Sequence, residues 1–249
     1  AALLTYYLLV KWQENKKLTG KEYIVKTIVT SEILKDMAEK FSVGCFDVLT
    51  GFKFIADIIR KLEGRKKFIA GGEESYGYLA GDFVRDKDAV SSCAMLAEIA
   101  AWAKSRGLTM FDLLMEMYQK FSIYHESLIN VVRKGKSGAE EIQQMMAGYR
   151  TSPPPFIHGS RVVMMHDYLS QETTDLARET KQPIDLPKSN VLQFVLEDGS
   201  IISVRPSGTE PKIKFYFSAN TRLSDLSQFN FPSAILGHDG SAFWGFSNR

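Results

Sequence analysis

The first half of the chain alternates between stretches with strand-like and helix-like hydrophobic spacing. Runs rich in β-branched and aromatic residues predict short buried strands over residues 23–30, 45–49 and 67–70. Apolar residues at helical spacing predict helices over residues 1–14, 32–41 and 52–62. Strands that alternate with helices of this length indicate a layered α/β domain.

Two further helices are predicted before the pattern changes. The longer one covers residues 88–104, and we expect its narrow apolar stripe of Val90, Cys93, Ala97 and Ala101 to be buried. Thr109 then begins a second helix as its N-cap, and we interpret the methionines of that helix as core residues.

The second half of the chain predicts a smaller unit with a different pattern. Its predicted strands cover residues 125–133, 161–167, 193–196, 201–204 and 212–217, and its predicted helix covers residues 138–147. We therefore predict an α/β mixed-sheet layered domain followed by a smaller α+β domain, with a boundary near residues 121–125.

Composition narrows the class of protein. The chain has 249 residues, of which 45% are hydrophobic and 24% charged, which argues against disorder, collagen and coiled coil. Its net charge of +2 provides no overall basic field, so we expect no nucleic-acid partner. The apolar run at residues 1–10 is too short to cross a bilayer, so we expect no membrane partner. Two distant cysteines predict reduced thiols, which suit the cytoplasm.

Three short patterns resemble functional motifs without their defining residues. Gly135-Lys136-Ser137 lies between a predicted strand and helix, but Asn130 stands where a P-loop needs its first glycine. A nucleotide-binding P-loop is therefore a minor alternative. Ser75 lies in G-x-x-S-x-G, which is not the spacing of a nucleophile elbow. The four histidines show no metal-ligand spacing, and we expect no metal site in this chain.

Two loops carry residues suited to binding a polar ligand. Gly71-Gly72-Glu73-Glu74-Ser75-Tyr76-Gly77 follows a predicted strand, and an ionised glutamate can accept two hydrogen bonds from neighbouring sugar hydroxyls. The loop from Arg205 to Lys212 joins two predicted strands and contains Ser207, Gly208 and Thr209. Its arginine, hydroxyls and backbone amides, with Lys212 and Lys214, suit a phosphate group. A polar turn and an ordinary hairpin turn are the alternatives for these two loops.

Taken in order, GGEESYG and RPSGTEPKIK resemble motifs of the α-D-phosphohexomutase superfamily, the phosphoglucomutases and phosphomannomutases. The resemblance covers roughly residues 1–217. It implies the end of a preceding domain at 1–15, a sugar-binding third domain at 16–121 and a phosphate-binding fourth domain at 122–217. The resemblance also includes Thr50-Gly51-Phe52-Lys53 and Arg85-Asp86-Lys87-Asp88.

The resemblance implies a role for each matching residue. Glu73 and Ser75 would hold sugar hydroxyls, and Lys87 and Lys53 would approach the substrate. The phosphate that is not transferred would bind a second set of residues, namely Arg205, Ser207, Gly208, Thr209, Lys212 and Lys214.

The same resemblance implies parts that this chain does not contain. The family's phosphoserine loop and its aspartate-rich loop for Mg²⁺ have no match here, so the resemblance implies no catalytic nucleophile in this chain. Partners would be the sugar-phosphate substrate, a hexose bisphosphate primer and the missing N-terminal domains of the same enzyme. A non-catalytic sugar-phosphate-binding module that works alone is the main alternative.

The last stretch of the chain departs from the family pattern. Residues 218–249 contain few charges and several aromatic residues, and glycines and a proline interrupt any helical spacing. We expect this tail to lie outside the fold.

Overall fold

A computed structural model describes residues 1–133, 135–208 and 210–221, without the side chain of Lys136. The last strand runs to Thr221, past the predicted start of the tail at residue 218. The remainder of the predicted tail, residues 222–249, lies outside the described residues. No helix within the described ranges is both long and apolar enough to span a membrane.

The first domain contains a four-stranded mixed sheet between two layers of helices. In chain order its elements are α1 (Ala2–Glu14), β1 (Glu22–Thr27), α2 (Ile33–Lys40), β2 (Gly44–Val48), α3 (Phe52–Leu62), β3 (Lys67–Gly72), β4 (Tyr78–Ala80), α4 (Ala89–Ser105) and α5 (Met110–Phe121). The strand order is β2-β1-β3-β4, and only β4 is antiparallel to its neighbour.

Alternation along β1 explains the two layers. Tyr23 and Val25 pack with α3 on one face of the sheet. Ile24 points to the opposite face and packs in the core that α1, α2, α4 and α5 share. Since α1 lies in this core, the helix that the resemblance assigned to a preceding domain packs within the first domain.

The predicted buried stripe of α4 is wrong. Val90 is 81% exposed, and Cys93, Ala97 and Ala101 are exposed as well. The helix instead buries Ile99 and Ala103. Small apolar residues occur all round this helix, so periodicity alone could not identify the face that packs against the sheet.

The second domain contains an antiparallel sheet. Its elements are β5 (Ile123–Val132), α6 (Gly135–Thr151), β6 (Phe156–Ile157), β7 (Ser160–Asp167), β8 (Glu172–Asp175), β9 (Thr180–Pro183), β10 (Leu192–Leu196), β11 (Ile201–Pro206) and β12 (Lys212–Thr221). The sheet order is β5-β12-β11-β10-β7-β8-β9, with β6 paired to β7. The predicted fold class, a layered α/β domain followed by a smaller domain, is confirmed.

Two details of the second domain differ from the sequence expectation. The helix predicted over residues 138–147 extends from Gly135 to Thr151, so Gly148 lies inside α6 and does not end it. Gly135-Lys136-Ser137 therefore begins a helix, which gives the P-loop alternative no phosphate-binding loop. Three short strands were not predicted: β6 has only two residues, and β8 and β9 are polar and lack a buried face.

The two faces of the second sheet have different chemistry. On one face Phe194, Val204 and Ile213 pack against α6. Because side chains alternate along a strand, Gln193 and Ser203 lie on the other face, which meets the first domain. The domains share an apolar cluster in which Ile28, Val29 and Leu49 of the first domain contact Tyr168, Val191 and Tyr216 of the second.

A buried hydrogen-bond network crosses this junction. The Gln193 side-chain amide donates to the Ile28 carbonyl at 2.6 Å and to the Ser203 hydroxyl at 2.8 Å. Its amide oxygen accepts from the Tyr168 hydroxyl at 2.5 Å. Gln193 therefore fixes the loop after β1 against the second sheet.

We predict that Gln193→Ala lowers the free energy of unfolding by about 2–4 kcal/mol, because the Ile28 carbonyl and the Tyr168 hydroxyl lose a buried partner. Urea unfolding measures the change. The control is Gln182→Ala on the exposed strand β9, which should change stability by no more than about 0.5 kcal/mol. Equal effects of the two substitutions would contradict a structural role for the Gln193 network.

Candidate functional site

The candidate site forms where three parallel strands of the first sheet end. The carboxyl ends of β1, β2 and β3 lie at one edge because the three strands run in the same direction. The loops that follow them, at residues 28–32, 49–51 and 73–77, therefore meet at that edge. Open α/β sheets bind their ligands at this edge.

Glu73 is fixed at the centre of this edge. It is only 7% exposed, and its Oε1 accepts a hydrogen bond from the Gly51 amide at 2.8 Å. Its own amide donates to the Gly77 carbonyl at 2.8 Å, which closes the loop. The predicted sugar-binding carboxylate is thus oriented by backbone groups from two loops.

Gly77 lets two predicted site residues approach each other. A Cβ built at Gly77 would lie 2.9 Å from Lys87 Cδ and 3.1 Å from Glu73 Oε2. Any larger residue would displace one of these two side chains. The structure therefore brings Glu73 and Lys87, which are separate in the sequence, together beside one glycine.

The other predicted residues of this domain lie at the exposed rim. Ser75 is exposed, and the neighbouring Tyr76 is 98% exposed with a left-handed φ of 65°. Lys53 is exposed too, and its ammonium lies 4.9 Å from the centre of the Phe54 ring. All three belong to the loops at the carboxyl edge or to the helix turn that follows one of them.

Sequence reasoning missed the buried residues beneath the site. The Lys26 ammonium, fully buried, contacts Glu32 at 2.7 Å, Asp47 at 2.8 Å and the Thr30 carbonyl at 3.2 Å. Burial by itself lowers the pKa of Lys26, but the Asp47 and Glu32 carboxylates outweigh it, so the pKa lies above the ordinary value. Lys26 thereby anchors the loop that follows β1. In the sequence, the position of this lysine within an otherwise apolar strand was the pattern that could have identified it as a buried charge.

Glu74 was not singled out either. Its Oε2 accepts from the Thr27 hydroxyl at 3.3 Å, and that hydroxyl also lies 2.8 Å from the Thr30 hydroxyl. Adjacent glutamates in this loop therefore have different surroundings: Glu73 is bound to the loop after β2, and Glu74 to the end of β1.

The predicted phosphate residues lie at the end of the hairpin β11–β12. Arg205 and Pro206 are the last residues of β11, so the loop between the strands is shorter than predicted. Arg205 lies directly opposite Lys214 in the strand pairing. Both residues share a sheet face with Ser203, and this is the face that meets the first domain. The two predicted cations are therefore neighbours.

The loop itself is held by its own polar groups. The Ser207 amide donates to the Lys212 carbonyl at 2.8 Å, and the Ser207 hydroxyl accepts from the Glu210 amide at 3.3 Å. Lys212 forms an ion pair with Glu210, which holds the pKa of that carboxyl below its ordinary value. Lys212 thus already has an anionic partner, and Lys214 is the better candidate for an added anion.

The backbone at Gly208 has a conformation that other residues can adopt. Its φ is not in the left-handed region, and a Cβ there would meet open space. The backbone therefore does not require a glycine at position 208. The absence of a side chain there would leave room for a ligand beside the loop. Thr209 lies outside the described residues.

The two loops converge at Tyr216, which is buried on β12. Its hydroxyl lies close enough to Glu74 and to Arg205 for both side chains to change its pKa. Burial and the Glu74 carboxylate raise that pKa, whereas Arg205 acts in the opposite direction. The loop at residues 73–77, predicted to bind sugar, and the loop after β11, predicted to bind phosphate, therefore face one another across the domain junction.

The carboxylates of the described residues do not provide a magnesium site. No group of three or more histidine, cysteine, aspartate or glutamate side chains among them is arranged to hold a metal ion. Asp88 caps α4, and Asp82 forms an ion pair with Lys67. The nearby aspartates in the described residues therefore have structural partners of their own.

Comparison with known families matches both domains. Residues 2–121 match the model described as phosphoglucomutase/phosphomannomutase, alpha/beta/alpha domain III, and residues 128–223 match the model of the C-terminal domain of the same proteins. A phosphoglucomutase of Staphylococcus aureus is 39% identical over 218 residues, and one of Staphylococcus haemolyticus is 36% identical over 219 residues. These alignments cover 88% of this chain but only 38% and 39% of the two relatives.

Solved structures share the fold at low sequence identity. The phosphoglucomutase parafusin from Paramecium, in an open form, superposes with a TM-score of 0.61 at 20% identity and covers 88% of this chain and 37% of its own. A putative phosphomannomutase from Thermus thermophilus gives a TM-score of 0.51 at 14% identity, with coverage of 88% and 36%. The chain thus spans less than two fifths of either structure.

We predict that Glu73→Ala accelerates amide hydrogen exchange at Gly51 by about tenfold or more, because the amide loses a charged acceptor. Exchange is followed by NMR or mass spectrometry. Glu73→Gln is the matched control, since its amide oxygen can still accept the bond. Unchanged exchange in the alanine variant would show that Glu73 does not organise the loop after β2.

Proposed function

The chain belongs to the phosphoglucomutase/phosphomannomutase family, and from that premise we propose that it is the sugar- and phosphate-recognition half of a phosphohexomutase. The observation that carries the proposal is geometric: Arg205 lies diagonal to Tyr216 on the second sheet, and Tyr216 packs against the end of β1, where Thr27 holds Glu74. A sugar phosphate has hydroxyls at one end and a phosphate at the other, and loops that face each other suit such a ligand.

The first domain supplies the groups for the sugar. The Glu73 carboxylate, whose Oε1 is held by Gly51, keeps Oε2 for hydroxyls of the ring. Ser75 at the rim adds a hydroxyl that can donate or accept. Lys87, beside Glu73, and Lys53 at the outer rim add positive charge for the anionic parts of the substrate.

The second domain supplies the groups for the phosphate that is not transferred. Arg205 offers a planar fork to two phosphate oxygens, and Lys214 adds a point charge beside it. Ser207 and Thr209 add hydroxyls, and Gly208 leaves space for the anion. Lys212 also belongs to this set, but Glu210 already neutralises part of its charge.

The proposed reaction is reversible transfer of a phosphoryl group between the 1- and 6-positions of a hexose, an isomerisation. A phosphoserine on the N-terminal domains donates the group, and a hexose bisphosphate forms and turns over. The bound sugar must then be held in two opposite orientations. Fixed anchors for the hydroxyls and for the distal phosphate, away from the serine, meet that requirement.

Other components belong to the missing domains. Mg²⁺, when bound to those domains, neutralises charge on the phosphoryl oxygens, and no step attributed to this chain uses it. Hexose bisphosphate serves as primer, and the substrate and the N-terminal domains are the partners. We place the enzyme in the cytoplasm, where its sugar phosphates would be available.

We predict that Arg205→Ala weakens binding of glucose 6-phosphate by about ten- to a hundredfold and leaves glucose binding unchanged. The lost charge-assisted hydrogen bonds contribute on the order of 1.5–3 kcal/mol. Isothermal titration calorimetry of the chain measures both ligands. The control is Arg178→Ala, at an arginine of the same domain that is 82% exposed and should not affect either ligand. Equal losses for both ligands would indicate a structural role for Arg205.

We predict that Glu73→Ala, in an enzyme containing all domains, lowers kcat/KM by about ten- to a hundredfold. Loss of a charge-assisted hydrogen bond to the sugar has that effect on the transition state. Steady-state kinetics with glucose 1-phosphate provides the measurement. A variant with unchanged kinetics would remove Glu73 from the proposed sugar site.

We predict that the purified chain alone does not interconvert hexose phosphates, even with bisphosphate primer and Mg²⁺ supplied. It has no match to the phosphoserine loop, so recognition occurs without a phosphoryl donor. Chromatographic detection of hexose 6-phosphate formed from glucose 1-phosphate tests this expectation. Turnover by highly purified chain would refute the assignment of the donor to the missing domains.

A further inference from the structure

Tyr216 has a buried hydroxyl without an evident partner. The residue is 6% exposed, and within the described ranges its hydroxyl forms no hydrogen bond that meets ordinary geometry. Burying an unpaired hydroxyl is unfavourable, and buried tyrosine hydroxyls usually find a partner. A phenylalanine would fill this position without that cost, so the presence of the tyrosine hydroxyl requires an explanation.

The strand register places Tyr216 beside Arg205. Tyr216 pairs with Ser203, whereas Arg205 pairs with Lys214, so Tyr216 and Arg205 are diagonal neighbours on one face of the sheet. Diagonal neighbours lie within reach of aromatic and long side chains. The aromatic ring of Tyr216 is held by the apolar cluster at the junction, which includes Ile28 and Val29. The Tyr216 ring is therefore held in place beside the longer side chain of Arg205.

Glu74 lies near the same hydroxyl. This carboxylate belongs to the sugar loop and is held by the Thr27 hydroxyl at the end of β1. The loop after β1 is in turn bonded to the second sheet through the Ile28 carbonyl and Gln193. The surroundings of the Tyr216 hydroxyl are thus an anion from one domain and a cation from its own.

A tyrosine hydroxyl has one donor and can accept as well, which matches these two neighbours. Burial and the Glu74 carboxylate raise the pKa of Tyr216, which favours the protonated hydroxyl. It can therefore donate to the Glu74 carboxylate while accepting from the Arg205 guanidinium. Phenylalanine would fill the same space but could do neither.

We propose that Tyr216 is a positioning residue whose hydroxyl links Glu74 of the sugar loop to Arg205 of the phosphate loop. The link restrains Arg205 in the orientation that a phosphate needs, and it couples the placement of the two loops. The proposal rests on the proposed function for the identity of the ligand, but the link itself is a property of this chain.

The first experiment measures binding of glucose 6-phosphate, inorganic phosphate and glucose to the full chain by isothermal titration calorimetry. Tyr216→Phe should weaken both phosphate ligands by about three- to tenfold, as expected for loss of one hydrogen bond, and leave glucose unchanged. In an Arg205→Ala background the same substitution should have no further effect, because it acts through the arginine.

A matched control removes a hydroxyl from the opposite side of the same sheet. The Tyr149 ring packs edge-to-face against Phe194 and Phe215 in the core below α6. Tyr149→Phe should leave binding of all three ligands unchanged. If Tyr216→Phe also leaves phosphate binding unchanged, or weakens glucose as strongly as phosphate, the positioning role is overturned.

The second experiment needs no ligand. Tyr216→Phe and Glu74→Gln are compared singly and together in urea unfolding, and we expect their effects on the unfolding equilibrium constant to be non-additive by at least about twofold. Non-additivity in a chain that binds none of the three ligands would refute the proposed function and retain the link. Additive effects in a chain that binds phosphate normally would refute the link and retain the function.

Discussion

The buried contact between the second sheet and the loop after β1 is the constraint on which the candidate site depends. Two loops far apart in the sequence can serve one ligand only if their separation is fixed. Gln193 fixes it by bonding the Ile28 carbonyl, Ser203 and Tyr168 at once. The apolar cluster around Tyr216 excludes water from the same junction, which strengthens these bonds.

Different surroundings give similar residues different tasks at this junction. Glu73 accepts from a backbone amide and lies at the carboxyl edge, whereas its neighbour Glu74 is held by Thr27 and faces the second domain. Lys26 is buried between Glu32 and Asp47 and supports the loop beneath, whereas Lys214 lies opposite Arg205 on the sheet face. Chemistry at the surface of the site therefore depends on charges buried below it.

Several elements show how far local pattern predicts structure. The parallel strands β1, β2 and β3 were predicted from their apolar runs, whereas the three-residue strand β4 was not, because it is too short to show a pattern. The capping box of Thr109 and Asp112 begins α5 where expected. The buried face of α4 was wrong because its small residues occur all round the helix. The strands β8 and β9 are polar and partly or fully exposed, so hydrophobic pattern carried no signal for them.

By itself the sequence determined the class of fold and the two loops that carry charged and hydroxyl side chains, because strands, turns and motifs are local. Only the tertiary structure decided which residues meet. Parallel pairing of β1, β2 and β3 brought Gly51 to Glu73, and the register of β11 with β12 set Tyr216 beside Arg205. Burial likewise identified Lys26 and Gln193, whose polar side chains suggest a solvent-exposed position until the surrounding partners are known.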